Sequence, residues 1–508
     1  MTTTLSIPVP AADPVLRLRT DTVVVPDGRD LQLVSRVGAY VLRGVDPGVA
    51  AALGRLAEPD ARLDTLDLAP EHAGRIELIA RRLPVLFVRG IRTAGGTLLA
   101  TIERTRRDTG YTPVDVAQDV PVRLSRFALL RTHDDDLVLE SPLAGHRVTP
   151  VTPAALALVA ALGSPRTPSE LAGAQLAGQL GPDEVRHLLG HLVGAGFAEL
   201  AGPDGLPSDT EPTLRQWDFH DLLSHSRARS GRFDQPFGGV FPYRGEIEPQ
   251  PAVKPVPEGP VVELPRPDLR DVQAHDPSLT MVLEGRTSVR KYAEAPMTVE
   301  QLGEFLYRTA RVRAVWGASE SAPYEASTRP YPCGGAAYEL ELYLTVQRCA
   351  GVEPGSYYYD PVGHRLVLLD ADQRDRDALL HTASVATGLQ AEPDVLVTMT
   401  SRFQRLSWKY RAIAYSVSLK HAGVLYQTMY LVATAMGLAP CGLGSGDADL
   451  AARVLGLDYL KESSVGDFIL GSRPPAGPAV ELPSTWRAVN DPQWGAVAQA
   501  TLRREWSR

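Results

Sequence analysis

Residues 405–415 read RLSWKYRAIAY, and the Lys409–Tyr410 step inside them is well equipped for proton chemistry. Both side chains ordinarily titrate at about pH 10. Desolvation lowers a lysine's pKa and a neighbouring ammonium lowers a tyrosine's, so a buried pair can exchange a proton. The same two residues equally suit a lysine that snorkels beside a packed aromatic. A second set lies in EGRTSVRKY, where Arg286, Thr287, Ser288 and Arg290 put two guanidinium groups and two hydroxyls within five residues. Charge, bidentate donors and small hydroxyls are what a phosphate monoester needs; a solvated basic turn is the ordinary alternative. In RPYPCGGAAYELELYL, Cys333, Gly334 and Gly335 leave backbone open to a flat ligand, or form a plain tight turn. Cys333 reads as a packed small residue rather than a nucleophile. Gly442, Gly444 and Gly446 in APCGLGSGD lack the G-x-G-x-x-G spacing after a strand, so they imply no dinucleotide fold. Arg473, in LGSRP, adds a further cation.

Composition bounds what these residues can serve. The chain has 508 residues, 44% hydrophobic and 22% charged, as in globular proteins of two to four domains. A formal net charge of -8 argues against nucleic acid as the main partner. Three cysteines without a C-x-x-C pair fit a reducing compartment, and the expected location is cytoplasmic. They make no cysteine zinc site, and His187 and His191, though four apart, lack the glutamate of H-E-x-x-H. They read as helix-surface histidines, and no metal is expected. The opening MTTTLSIPVPAADPVLRLRT does not read as a signal peptide. The apolar run 424–444 breaks at Gly437 and Pro440, as a core helix does and a membrane span does not.

The elements that must position these residues fall into four regions. Residues 1–118 form an N-terminal α+β region, with a strand, a D-G turn and a strand in TVVVPDGRDLQLV. The polar RTRRDTGYTPVDVAQDVP that ends it reads as a solvated loop. Residues 119–205 hold two strands around an Asp-rich turn and three helices, the second over TPSELAGAQLAG and the third in GPDEVRHLLGHLVGAGFAEL, ending at Gly194 and Gly196. This pattern suggests a winged helix-turn-helix, and the acidic start of the third helix (Asp183, Glu184) points to a peptide-docking or purely structural module rather than DNA binding. Residues 206–270 are a linker or arm, with a short amphipathic helix in QWDFHDLLSHSRARSG ahead of its Pro- and Gly-rich stretch. Residues 271–508 alternate helix and strand: a half-buried strand over AYELELYLTV, a hairpin turning at 360–363, and a long helix over 413–437. Tyr415, Leu419, Ala422, Tyr426, Met429, Ala433 and Met436 lie near one stripe of that helix.

The order EGRTSVRKY, RPYPCGGAAYELELYL, SWKYRAIAYSVSLKHAGVLYQTMYLVATAMGLAPCGLG and LGSRP resembles the flavin-dependent nitroreductase superfamily. Within it the chain looks like the SagB-type azoline dehydrogenases, the thiazole/oxazole-forming oxidases of ribosomal peptide natural-product biosynthesis. The resemblance implies an α+β fold whose C-terminal FMN domain has a mixed sheet flanked by helices around a long central helix, with a winged-helix-like region before it. It implies that FMN phosphate is held by Arg286, Thr287, Ser288, Arg290 and Arg473, and that Cys333, Gly334, Gly442 and Gly444 border the ring. Cys333 stands where many relatives have serine. Lys409 and Tyr410 match the family's catalytic Lys-Tyr step, with the choice of base between them open. The implied partners are an azoline-containing precursor peptide, cyclodehydratase proteins and a second copy of the chain, with dioxygen reoxidising the flavin. An NAD(P)H-dependent nitro or quinone reductase, and a non-catalytic scaffold presenting peptide to a synthetase, are the alternatives.

Overall fold

The computed structural model describes residues 14–506 except 59–60, 134, 174–179, 321, 390–391, 476–484, 486 and 488. The chain divides into two units, residues 1–237 and 238–508.

In the first unit the D-G turn forms as read, joining Val23–Asp27 to Asp30–Ser35 in a three-stranded meander completed by Gly38–Leu42. A six-stranded antiparallel sheet runs in the order Val15–Leu18, Phe87–Arg92, Leu98–Arg104, His146–Pro150, Asp136–Glu140, Leu129–His133. It therefore joins strands from both sides of residue 118. Three helices follow it, Pro153–Ala161, Pro168–Gly173 and Pro182–Gly194, with a ribbon of Val122–Leu124 and Ala198–Leu200. The remainder of the expected second helix lies outside the described residues.

Part of the polar segment before residue 118 is not a solvated loop. It lies extended along the third helix, with the Val114 amide donating to the Gly190 carbonyl at 3.0 Å. A Cβ at Gly190 would stand 2.4 Å from the Val114 oxygen, so only glycine admits this approach. The strap also buries His191, which is 1% exposed and hydrogen-bonds Tyr111 Oη at 2.9 Å, where a surface histidine was expected. His187 stays exposed.

The second unit is built on a seven-stranded sheet in the order Val261–Glu263, Arg365–Leu368, Gly355–Asp360, Leu340–Val346, Val395–Arg402, Glu462–Ser472, Leu438–Leu443. A mixed sheet was implied, but every pairing here is antiparallel. Short turns join 340–346, 355–360 and 365–368, and such turns permit only antiparallel neighbours. The hairpin turns where expected: the Asp360 carboxylate accepts from the Val362 and Gly363 amides, each at 3.0 Å.

Strand Leu340–Val346 is buried at all seven positions, not half-buried as its alternation suggested. Leu340, Leu342, Leu344 and Val346 meet helix Val299–Ala310 and the long helix through Leu302, Phe305, Leu306, Leu425 and Met429. On the opposite face Tyr343 packs with Leu379, Leu380, Leu450 and Val454 of helices Gln373–Ala386 and Ala448–Leu455. Helices on both faces leave neither side of the sheet to water.

The long helix spans Ala414–Ala435. Ala422, Met429 and Ala433 are buried as its stripe predicts, while Tyr415 and Leu419 are 57% and 45% exposed. Among the described residues no helix is long and apolar enough to cross a membrane.

Candidate active site

The segment carrying Lys409 and Tyr410 is held by its own neighbours. Strand Val395–Arg402 leads into a short helix, Phe403–Ser407, whose Arg405 is 4% exposed. Arg405 donates to the Ala337 carbonyl at 2.8 Å, to Gln250 O at 2.6 Å and to the Glu325 carbonyl. Burial, reinforced by nearby Arg402, lowers its guanidinium to about 10. Arg402 donates to Pro251 O at 3.0 Å and Ala252 O at 3.1 Å, and Trp408 Nε1 to Ile247 O at 2.6 Å. The Pro-rich stretch from residue 238 is therefore threaded onto the active segment. Gly238 and Gly239 pair with Arg411 and Tyr410, and the Phe241 amide donates to Lys409 O at 3.1 Å. Lys254, from the same stretch, reaches the Tyr343 hydroxyl at 2.5 Å and the Glu462 carboxylate. Few apolar side chains pack this stretch, so carbonyls taken by buried guanidinium groups do the anchoring.

Lys409 Nζ contacts the Tyr324 hydroxyl and lies 3.4 Å from the Gly335 carbonyl. The hydroxyl of Tyr324 donates to that same carbonyl at 2.6 Å. The ammonium sits 4.5 Å from the Tyr324 ring centre, 5.1 Å from that of Tyr410 and 6.0 Å from that of Phe241. These are cation–π distances. Tyr410 is pulled two ways. Burial raises its pKa, the Lys409 charge and hydrogen bond lower it, and burial wins. Gly335 has φ 62°, and a Cβ there would run into Lys409 Nζ and stand 2.7 Å from the Tyr410 hydroxyl.

Beneath this group the Gly334 amide donates to His421 Nε2 at 2.8 Å, and His421 Nδ1 lies 2.8 Å from Glu339 Oε1. Since Nε2 accepts, the ring proton sits on Nδ1 and goes to Glu339. Cys333 Sγ lies 3.5 Å from the same Nδ1 and 3.6 Å from Glu339 Oε2, close enough for the three to share a cation. A proton on Nδ1 leaves no lone pair there for one. Burial, then Glu339, pushes the Cys333 thiol up to about 12, as suits a packed residue.

The phosphate-type residues gather farther along the long helix. Ser288 Oγ meets Tyr430 Oη at 2.8 Å, and Arg286 lies 5.2 Å from the Tyr430 ring centre. The Gly442 amide donates to Tyr430 Oη at 2.7 Å, and the Val289 amide to Pro440 O at 2.9 Å. Arg473 donates through Nε to Leu438 O at 3.1 Å and covers the Trp506 ring at 4.4 Å. Burial, helped by Arg503, lowers it to about 10. Its Nη2 is buried without a hydrogen-bond partner among the described residues.

Lys409, Tyr410, Cys333 and Gly334 thus converge near His421 of the long helix, and Arg286, Ser288 and Gly442 gather at Tyr430 of the same helix, with Arg473 on Leu438. Thr287, Arg290 and Gly444 are exposed, and none of them is drawn into either group. Tyr324, Phe241, His421, Glu339 and Tyr430 were not singled out from sequence as site residues. Tyr430 alone had a local signal, one helical turn beyond Tyr426.

Residues 122–234 match the family model of the cyanobactin oxidase ThcOx, and residues 283–472 that of the nitroreductase family. A protein named as a nitroreductase in Methanocaldococcus jannaschii is 28% identical over 37% of this chain and 86% of its own length. The trifolitoxin-processing protein TfxB of Rhizobium leguminosarum bv. trifolii is 30% identical over 27% of this chain and 38% of its own. Among solved structures, the Escherichia coli microcin synthetase McbBCD complex with truncated pro-MccB17 aligns over 36% of this chain and 66% of that one. Its sequence identity is 20% and its TM-score 0.30. An oxidase-type segment followed by a nitroreductase-family domain marks the chain as an oxidoreductase.

Proposed function

We propose that the chain is an FMN-dependent dehydrogenase that oxidises thiazoline or oxazoline rings of a ribosomal precursor peptide to thiazoles or oxazoles. The observation that carries this reading is the Lys409 ammonium held between Tyr324, the Gly335 carbonyl and Tyr410. A nitro or quinone reductase has no carbon-bound proton to remove from its acceptor and so needs no base there.

The residues fit a flavin mononucleotide. Arg473 Nη2 is buried with no hydrogen-bond partner among the described residues, and Arg286 and Ser288 lie at the same end. His421 and Tyr430 are nine residues apart on one helix, about 13 Å at 1.5 Å per residue. That is the scale of a flavin ring, ribityl chain and phosphate. Arg286, Ser288 and Arg473 would hold the phosphate with the Gly442 backbone beside them, and backbone at Cys333 and Gly334 would border the ring. When bound, the flavin supplies the hydride acceptor.

The chain's own work is proton removal. The azoline α-carbon must lose a proton as the neighbouring ring carbon loses a hydride, and a base must lie within hydrogen-bond reach. Tyr410 takes that proton as phenolate, and the Lys409 ammonium stabilises the phenolate and the charge developing on the substrate. Phe241 and Trp408 pack with Tyr324 beside the ammonium. The winged-helix-like region at 119–205 would dock the precursor peptide. A second copy would cover the exposed Tyr415 and Leu419 of the long helix.

Mass spectrometry of an azoline peptide incubated with the holoprotein tests the reading. Loss of two hydrogens per ring is expected, and Lys409→Ala and Tyr410→Phe should abolish it with flavin retained. Wild-type rates in both variants would sink the assignment.

A further inference from the structure

We infer that Tyr324 is a third member of the proton-transfer group, a positioning residue that aims the Lys409 ammonium at Tyr410. The inference rests on the proposed azoline dehydrogenase reading. Tyr324 is 8% exposed and packs among Phe241, Tyr243 and Trp408, so its ring has one place to be. Its hydroxyl donates to Gly335 O at 2.6 Å and accepts from Lys409 Nζ.

That arrangement distinguishes the two tyrosines. The Tyr324 hydroxyl commits its one O–H to the Gly335 carbonyl, so that proton is already engaged in holding the loop. Among the described residues no such acceptor takes the Tyr410 O–H. An ammonium has three N–H donors. Tyr324 and the Gly335 carbonyl take two, and Tyr410 is the remaining neighbour, feeling Lys409 both as a charge and as a hydrogen-bond donor. The left-handed backbone at Gly335 brings its carbonyl into this role, and the His421–Gly334 hydrogen bond holds the loop. The sequence gap of 85 residues between Tyr324 and Lys409 explains why no local motif contains both. Without the Tyr324 oxygen, the lysine can swing away and Tyr410 loses the charge that favours its ionised form.

The test uses the full-length holoprotein with Tyr324→Phe, alone and with Tyr410→Phe. The tyrosinate difference spectrum between each parent and its Tyr410→Phe partner reports Tyr410 ionisation in both backgrounds. It should move to higher pH in Tyr324→Phe. With azoline peptide, kcat should fall about tenfold or more with KM unchanged, and the rising limb of the pH–rate profile should shift the same way. An unchanged Tyr410 ionisation would overturn the inference whatever the activity. Failure of the wild type to form azole would defeat the parent reading, yet leave the spectral shift measurable. If Tyr324→Phe does not fold, 3-fluorotyrosine at 324 keeps shape and hydroxyl. It weakens the acceptor, and the same upward shift, smaller, is expected; its absence would equally overturn the inference.

Discussion

Gly335→Ala is the substitution whose outcome the geometry specifies most closely. The new Cβ would occupy the space of Lys409 Nζ and press on the Tyr410 hydroxyl from 2.7 Å. Backbone cost comes first: φ 62° for a residue with a Cβ costs about 1–2 kcal/mol. In a unit of this size that lowers the melting temperature by roughly 2–8 °C, from about 2–4 °C per kcal/mol. The larger effect is on the ammonium, which must leave both Tyr324 and the Gly335 carbonyl. A misplacement of about 1 Å near the chemistry costs on the order of 100-fold in rate. The assay is azole formation by mass spectrometry at saturating azoline peptide, with flavin absorbance and thermal melting on the same sample. Gly334→Ala is the control, because its Cβ would stand 3.3 Å from His421 Nε2 at an ordinary φ and 3.7 Å from the Tyr410 hydroxyl. It should lose less than about tenfold. Wild-type turnover in a folded, flavin-replete Gly335→Ala protein would refute the placement of Lys409.

Arg473→Met should weaken flavin binding by roughly 10- to 150-fold, the worth of a hydrogen bond to a charged group at about 1.5–3 kcal/mol, as read by flavin fluorescence. Burial depresses His146 and His191 to about 4. With an unfolded value of about 6.5, the unfolded chain binds the extra protons between these limits. The first unit should therefore hold its full stability above about pH 6.5 and lose it as pH falls toward about 4, by up to about 3 kcal/mol per histidine. Urea unfolding of the full chain, followed by a probe in that unit, checks this, and His191→Gln should flatten the profile. Asp467 has the opposite sign. Burial raises it to about 6, so its contribution is present below the usual carboxylate pKa and lost as pH rises through about 6. Asp467→Asn should remove that loss in the second unit.

Much of the site was legible because its signals are local. Lys409 and Tyr410 are adjacent, the phosphate-type residues crowd one turn, and the long helix and the 360–363 hairpin announce themselves by periodicity and turn chemistry. The exposed Thr287, Arg290 and Gly444 show that a motif's spacing does not by itself bring every member's side chain inward.

The sequence by itself determined the types of element, their order and the residues able to move a proton or hold a phosphate. Tertiary structure alone decided which distant residues complete them: Tyr324 on Lys409, Glu339 on His421 across 82 positions, and the 247–252 carbonyls on Trp408, Arg405 and Arg402. It also decided that strand 340–346 is buried on both faces and that the strap at 112–116 lies against helix 182–194. The reason is one of range. Periodicity and turn propensity are set by neighbours a few residues away. A carbonyl seeking a donor, or a strand face seeking cover, is satisfied by whatever the folded path brings beside it.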